Sequence, residues 1–230
     1  MKIFRLSQQA NSDCNNEKLI LGYYGFWVKL TYLSAVIAMI GIYFALNGSL
    51  KYALICLMVS GLCDGFDGKV ANLKERDDRE KSYGIQIDAL ADIICFGLLP
   101  AIIGYMLIPE TASKIYISIS IFIFILYALS ALIRLAYFNV IETELVNRNE
   151  KRIYFEGLPV TSAALIIPVV FSVCGIFNFS FFLAYNITLF VLSVLFVLKI
   201  KIPKPRGRSL ILVCLTGIPA LIYIIFFGGC

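Results

Sequence analysis

The chain has 230 residues, of which 60% are hydrophobic and 15% charged, with mean hydropathy +0.86 and a formal net charge of +5. This balance excludes an ordinary soluble globular domain and fits one polytopic membrane domain. Histidine is absent, which removes His-based triads, His general bases and His-containing zinc sites together.

Residues 1–18 form a polar arm without the apolar core and small-residue cleavage site of a signal peptide. Residues 19–29, LILGYYGFWVK, either begin the first helix or lie in the interface with Tyr23, Tyr24 and Trp27 at headgroup level. Apolar runs then follow at 28–46, 50–72, 84–108, 113–138, 158–178, 180–199 and 209–228. Each is near the ~20 residues that a spanning helix needs. The predicted fold class is therefore an all-α polytopic membrane protein. Cys56, Cys63, Cys95, Cys174 and Cys214 lie in apolar runs and read as small core residues, not disulfides.

The connections around Asn47-Gly48 and from Pro109 to Ser113 carry few charges, whereas 73–83, 140–157 and 199–208 are charged. With the N-terminus in the cytoplasm, only Lys51 and Lys114 of the 20 Lys and Arg fall outside. The C-terminus then lies outside, unless Gly217 and Pro219 split the last run into a hairpin.

The stretch from Asp64 to Asp92, DGFDGKVANLKERDDREKSYGIQIDALAD, carries the chemistry. Asp64 and Asp67 are i and i+3, and Asp88 and Asp92 are i and i+4, so on helices each pair shares one face. Both pairs border apolar spans, where a carboxylate is costly unless it is paired or bound to a cation. If the two spans form a hairpin, the four acids meet and repel. A divalent cation, or two, resolves that conflict, and all-oxygen ligands suit Mg²⁺, Mn²⁺ or Ca²⁺. Gly68, Ala71 and Gly84 leave a nearly bare helix face beside the acids, which admits a neighbouring helix or a flat ligand. Arg134, one turn inside its run, is either a snorkelling cation or an anion ligand, and Asn139 is a weaker polar candidate. Thr161 and Ser162, after Gly157-Leu158-Pro159, read as helix-capping hydroxyls at a helix start whose free N–H groups suit an anion. The basic run 199–208 reads as the cytoplasmic flank of a membrane helix. No Walker A loop, dinucleotide fingerprint or nucleic-acid module occurs.

These residues resemble the signature of the CDP-alcohol phosphotransferase family, D-x-x-D-G-x-x-A-R … G-x-x-x-D-x-x-x-D. Asp64, Asp67, Gly68, Ala71, Gly84, Asp88 and Asp92 match it, and Asn72 stands where the family has Arg. The charged linker before Gly84 is also longer than usual for the family. R-L-A-Y-F-N at 134–139 and E-G-L-P at 156–159 are similar to elements of the bacterial and archaeal CDP-diacylglycerol–serine branch. The resemblance implies a six-helix membrane domain over 19–200. A basic loop and one or two further C-terminal helices then occupy 201–230.

It further implies a cell-membrane enzyme, homodimeric, with its site facing the cytoplasm. Its substrates would be CDP-diacylglycerol and L-serine, and CMP would leave. Asp64, Asp67, Asp88 and Asp92 would hold Mg²⁺ or Mn²⁺, two ions in all, with Asp92 also taking the proton of the acceptor hydroxyl. Asp67, Gly68, Ala71 and Gly84 would contact the nucleotide. Lys69, Arg134 and Asn139 are candidates for phosphate or for the serine carboxylate. A phosphorylated acceptor, glycerol 3-phosphate or inositol phosphate, is the nearest alternative. A cation transporter is the rival from another class, but it would show internal repeats and midplane polar groups, which are not seen here.

Overall fold

The computed structural model describes residues 22–71, 77–147, 154–203 and 208–227. Helices α1 (Phe26–Leu46) and α2 (Leu50–Ala71) are joined at Asn47-Gly48, where Gly48 takes φ +73. Helix α3 runs from Asp78 to Met106, in three parts: Asp78–Asp92, a π-helical Ile93–Leu98 and Leu99–Met106. Helix α4 is Lys114–Asn147, α5 is Ala163–Phe177, preceded by a 3₁₀ turn Val160–Ser162, α6 is Phe181–Val197 and α7 is Arg208–Phe227. The all-α class holds. One antiparallel ribbon adds to it, pairing β1 (Tyr154–Glu156) with β2 (Lys201–Pro203).

Four of these helices, α1, α3, α4 and Val160–Phe177, are long and apolar enough to cross a membrane, and α6 and Leu215–Phe227 are shorter apolar helices. Large apolar side chains face outward along them, among them Leu33, Val36, Met39, Ile119, Phe122 and Leu129. That is the arrangement for a lipid solvent, in which close packing rather than hydrophobic burial joins helices. The buried stripe of α1 is accordingly small: Thr31, Ser34, Ala38, Gly41 and Ala45. A Cβ on Gly41 would stand 2.8 Å from that of Cys56.

Several boundaries differ from those read in the sequence. Helix α3 starts at Asp78, within the charged connection, because Asp78 and Glu80 fall in its first turn and suit the positive helix end. Helix α4 extends to Asn147 through IETELVN, whose Glu and Leu favour helix. Helix α7 continues through Gly217 and Pro219 as one helix rather than a hairpin. It belongs to the core: Ile224 is buried, Ser172 donates to Ala220 O at 3.5 Å, and Lys51 donates to Ile225 O at 2.7 Å. Cys56, Cys63, Cys95 and Cys174 are free thiols, as expected.

The small-residue crossing of α2 and α5 gives a direct stability test. A Cβ on Gly61 would lie 2.5 Å from the Cβ of Ala164, whereas one on Gly65 meets nothing within 4 Å. Gly61→Ala is expected to lower unfolding free energy by about 1–3 kcal/mol through overpacking. Gly65→Ala, a helix-favouring change in open space, should hold or raise stability by up to ~1 kcal/mol. Thermal unfolding of both variants in detergent checks the opposite signs.

Candidate functional site: four aspartates between α2 and α3

The acid pairs sit on helices, as their spacing predicted. Asp64 and Asp67 lie in the last two turns of α2, and Asp88 and Asp92 in the first part of α3. Asp64, Asp88 and Asp92 each present a carboxylate oxygen within 4.8 Å of the others. Asp64 is in hydrogen-bonding contact with Asp92, and Asp88 with Asp67. Asp67 is 9% exposed and accepts a bond from the Thr31 hydroxyl of α1 at 3.4 Å.

The donor set fits a hard cation. Two oxygens on one Mg²⁺ or Ca²⁺ lie at most about 4 to 5 Å apart, twice the usual ligand distance. The observed spread falls within that limit, and carboxylates this close repel without a cation. All ligands are oxygens, which favours Mg²⁺, Mn²⁺ or Ca²⁺ over softer metals.

A polar layer from α1, α2 and α3 supports the acids. The Ser34 hydroxyl donates to Thr31 O at 2.8 Å, and that of Ser60 to Ser34 O at 3.2 Å. Cys95 contacts both serines. Thr31 was missed in the sequence, although a signal existed. Thr31 and Ser34 are i and i+3 in a helix that is apolar beyond Lys29, which marks a face turned toward protein. Tyr83, just before Gly84, shares a 2.8 Å bond with the Tyr32 hydroxyl, which itself donates to Tyr23 O at 3.0 Å.

The remaining candidates divide. Gly84 lies in α3 one turn before Asp88, and the backbones of Gly68 and Ala71 continue α2 past Asp67. The side chains of Lys69 and Ala71 and all of Asn72 lie outside the described residues, as do Lys74 and Arg76. Arg134 does not snorkel: it is 8% exposed, with its guanidinium 5.7 Å from the centre of the Phe138 ring. Asn139 donates to Gln86 Oε1 at 3.5 Å, linking α4 to the acid-bearing part of α3.

The structure decides the open reading at the first helix and corrects the capping expectation. Trp27 is buried in the first turn of α1, which starts at Phe26, while Tyr24 is exposed. The Ser162 hydroxyl donates to Pro159 O at 2.6 Å, and no side chain caps the start of α5. Gly157 instead serves the turn. It takes φ +76, and its N–H donates to Ile200 O at 2.8 Å. A Cβ there would sit 3.1 Å from two carbonyl oxygens of the α6 end, those of Phe196 and Leu198.

The family model for CDP-alcohol phosphatidyltransferase matches residues 28–199. A Helicobacter pylori protein named CDP-diacylglycerol–serine O-phosphatidyltransferase is 31% identical over 137 residues, 58% of this chain and 52% of that protein. Archaetidylserine synthase of Methanothermobacter thermautotrophicus is 30% identical over 194 residues, 84% of this chain and 76% of the relative. A Saccharomyces cerevisiae CDP-diacylglycerol–serine O-phosphatidyltransferase is 37% identical over 117 residues, 49% of this chain and 39% of the relative. The chain thus spans about half or less of the bacterial and yeast relatives, and three quarters of the archaeal one. The family match takes in α1 to α6 and all four aspartates, so this chain belongs to the CDP-alcohol phosphatidyltransferase family.

Proposed function

We propose that the protein transfers a phosphatidyl group from CDP-diacylglycerol to the hydroxyl of L-serine, giving phosphatidylserine and CMP. The observation that carries this reading is the meeting of Asp64 of α2 with Asp88 and Asp92 of α3, with Asp67 in contact with Asp88, in a membrane-embedded family member. Asp64, Asp67, Asp88 and Asp92 would hold one or two divalent cations, which supply charge neutralisation for a pyrophosphate and its leaving group. Asp92 takes the proton of the serine hydroxyl as that oxygen bonds to the lipid-side phosphorus. The bond from that phosphorus to the bridging oxygen breaks, and CMP departs with the electron pair. Asp67, Gly68, Ala71 and Gly84 contact the nucleotide. Thr31 holds Asp67 in place through its hydroxyl.

Serine is favoured as acceptor by the charge inventory. Arg134 is the buried Lys or Arg among the described residues, a match for one carboxylate, whereas a phosphorylated acceptor calls for several cations. Lys69 and Asn139 are further candidates at the acceptor or phosphate. Both the bacterial and the archaeal relatives carry serine in their names. The basic connections favour a site open to the cytoplasm, at the level where a lipid meets a water-soluble partner. The family resemblance implies a homodimer.

The test is transfer of labelled serine onto CDP-diacylglycerol by the purified chain with Mn²⁺. Labelled lipid and equimolar CMP are expected. CMP release only with glycerol 3-phosphate or inositol phosphate would overturn the acceptor, and no CMP with any of the three would overturn the enzyme reading.

A further inference from the structure

Helix α3 carries half of the acid cluster and departs from regular winding directly after it. From Ile93 to Leu98 the helix is π-wound, and the Leu99 N–H reaches Ile94 O, five residues back. One extra residue turns everything beyond it by about 100°. Before that turn α3 directs Asp88 and Asp92 toward Asp64. After it, Leu99, Pro100, Ile103 and Gly104 are buried. A Cβ on Gly104 would stand 2.7 Å from the Phe124 ring and 2.9 Å from that of Tyr185. Because Asp78–Met106 is one continuous helix, the π turn sets the rotation of the acid-bearing half relative to the buried second half, and its loss would turn the acids by that angle.

The turn also has a chemical lock. Pro100 has no N–H, so the Phe96 carbonyl loses the donor four residues on that an α-helix would give it. A buried carbonyl left unmatched is costly. Tyr127 of α4, 0% exposed, meets it: its hydroxyl donates to Phe96 O at 2.6 Å. Tyr185 of α6 makes a bond of the same length to Pro100 O, just past the π segment.

We infer that Tyr127 is a positioning residue: its hydroxyl, on the Phe96 carbonyl, fixes the π turn that holds Asp88 and Asp92 in phase with Asp64. The inference rests on the divalent-cation reading of the four aspartates. Tyr185, equally buried and equally bonded but outside the turn, is the matched control.

The experiment is a Mn²⁺ titration of the purified full chain, followed by the rise in Tm. It compares wild type, Tyr127→Phe and Tyr185→Phe, each referred to its own metal-free Tm. Loss of a group that orients metal ligands is expected to raise the half-saturating Mn²⁺ by about tenfold in Tyr127→Phe, and to leave Tyr185→Phe unchanged. Equal shifts in both variants, or none in Tyr127→Phe, would show a merely structural hydroxyl and overturn the inference while leaving the cation reading intact. No Mn²⁺ response in wild type would remove the cation reading and this inference with it. Should Tyr127→Phe not fold, hydrogen exchange of the wild-type Ile93–Leu98 amides decides. Protection that rises with Mn²⁺ supports the coupling, and unchanged protection sinks it.

Discussion

Asp92→Asn is expected to abolish transfer while leaving the fold intact. The amide keeps the shape of the carboxylate but cannot take up the acceptor proton, and loss of a positioned general base costs on the order of 10²–10⁴ in rate. Asp92 also sits within 4.8 Å of Asp64 and Asp88, and an amide there adds no charge and can still hydrogen-bond Asp64. The metal-free variant should therefore unfold no earlier than wild type. CMP release from CDP-diacylglycerol, measured beside a thermal melt, separates the two effects. Transfer within a factor of about ten of wild type would mean that another group moves the proton.

Metal removal should be as severe. Dialysis against EDTA is expected to bring CMP release to background, and Mn²⁺ or Mg²⁺ to restore it, because the four clustered carboxylates otherwise oppose the approach of a pyrophosphate. Rebinding should also stabilise the fold, by about 2.7 kcal/mol when the cation stands at a hundred times its Kd. The steepness of the Mn²⁺ activation curve reads the number of ions, a second-order rise marking two. Full activity after exhaustive chelation would end the metal-centred reading.

The sequence made the spans and the acid pairs legible for a common reason: both are local. A membrane helix announces itself by length and hydropathy, and Asp64 with Asp67, or Asp88 with Asp92, share a face by helix geometry alone. Where the sequence left alternatives open, neighbours decide. Trp27 has the amphipathic ring of an interfacial anchor, yet the packing of α1 buries it. Arg134 has the look of a snorkelling cation, yet it rests on Phe138 inside the protein. The last run, which Gly217 and Pro219 could have split, is one helix, joined to α5 at Ala220 and to Lys51 of α2 at Ile225.

Helices at the apolar runs, four of them long and apolar enough among the described residues to cross a membrane, and two carboxylate pairs at helical spacing were thus legible in the sequence itself. The tertiary structure alone decided that the pairs meet, that Thr31 reaches Asp67, and that a π turn braced by Tyr127 sets the phase of α3. In water, the apolar face of a helix tells which side turns inward. In a bilayer both the lipid-facing and the protein-facing sides are apolar, so hydropathy loses that information. It passes to close contacts between residues far apart in the chain, such as Gly61 with Ala164 and Gly41 with Cys56, which fix how the helices turn and bring the acids together.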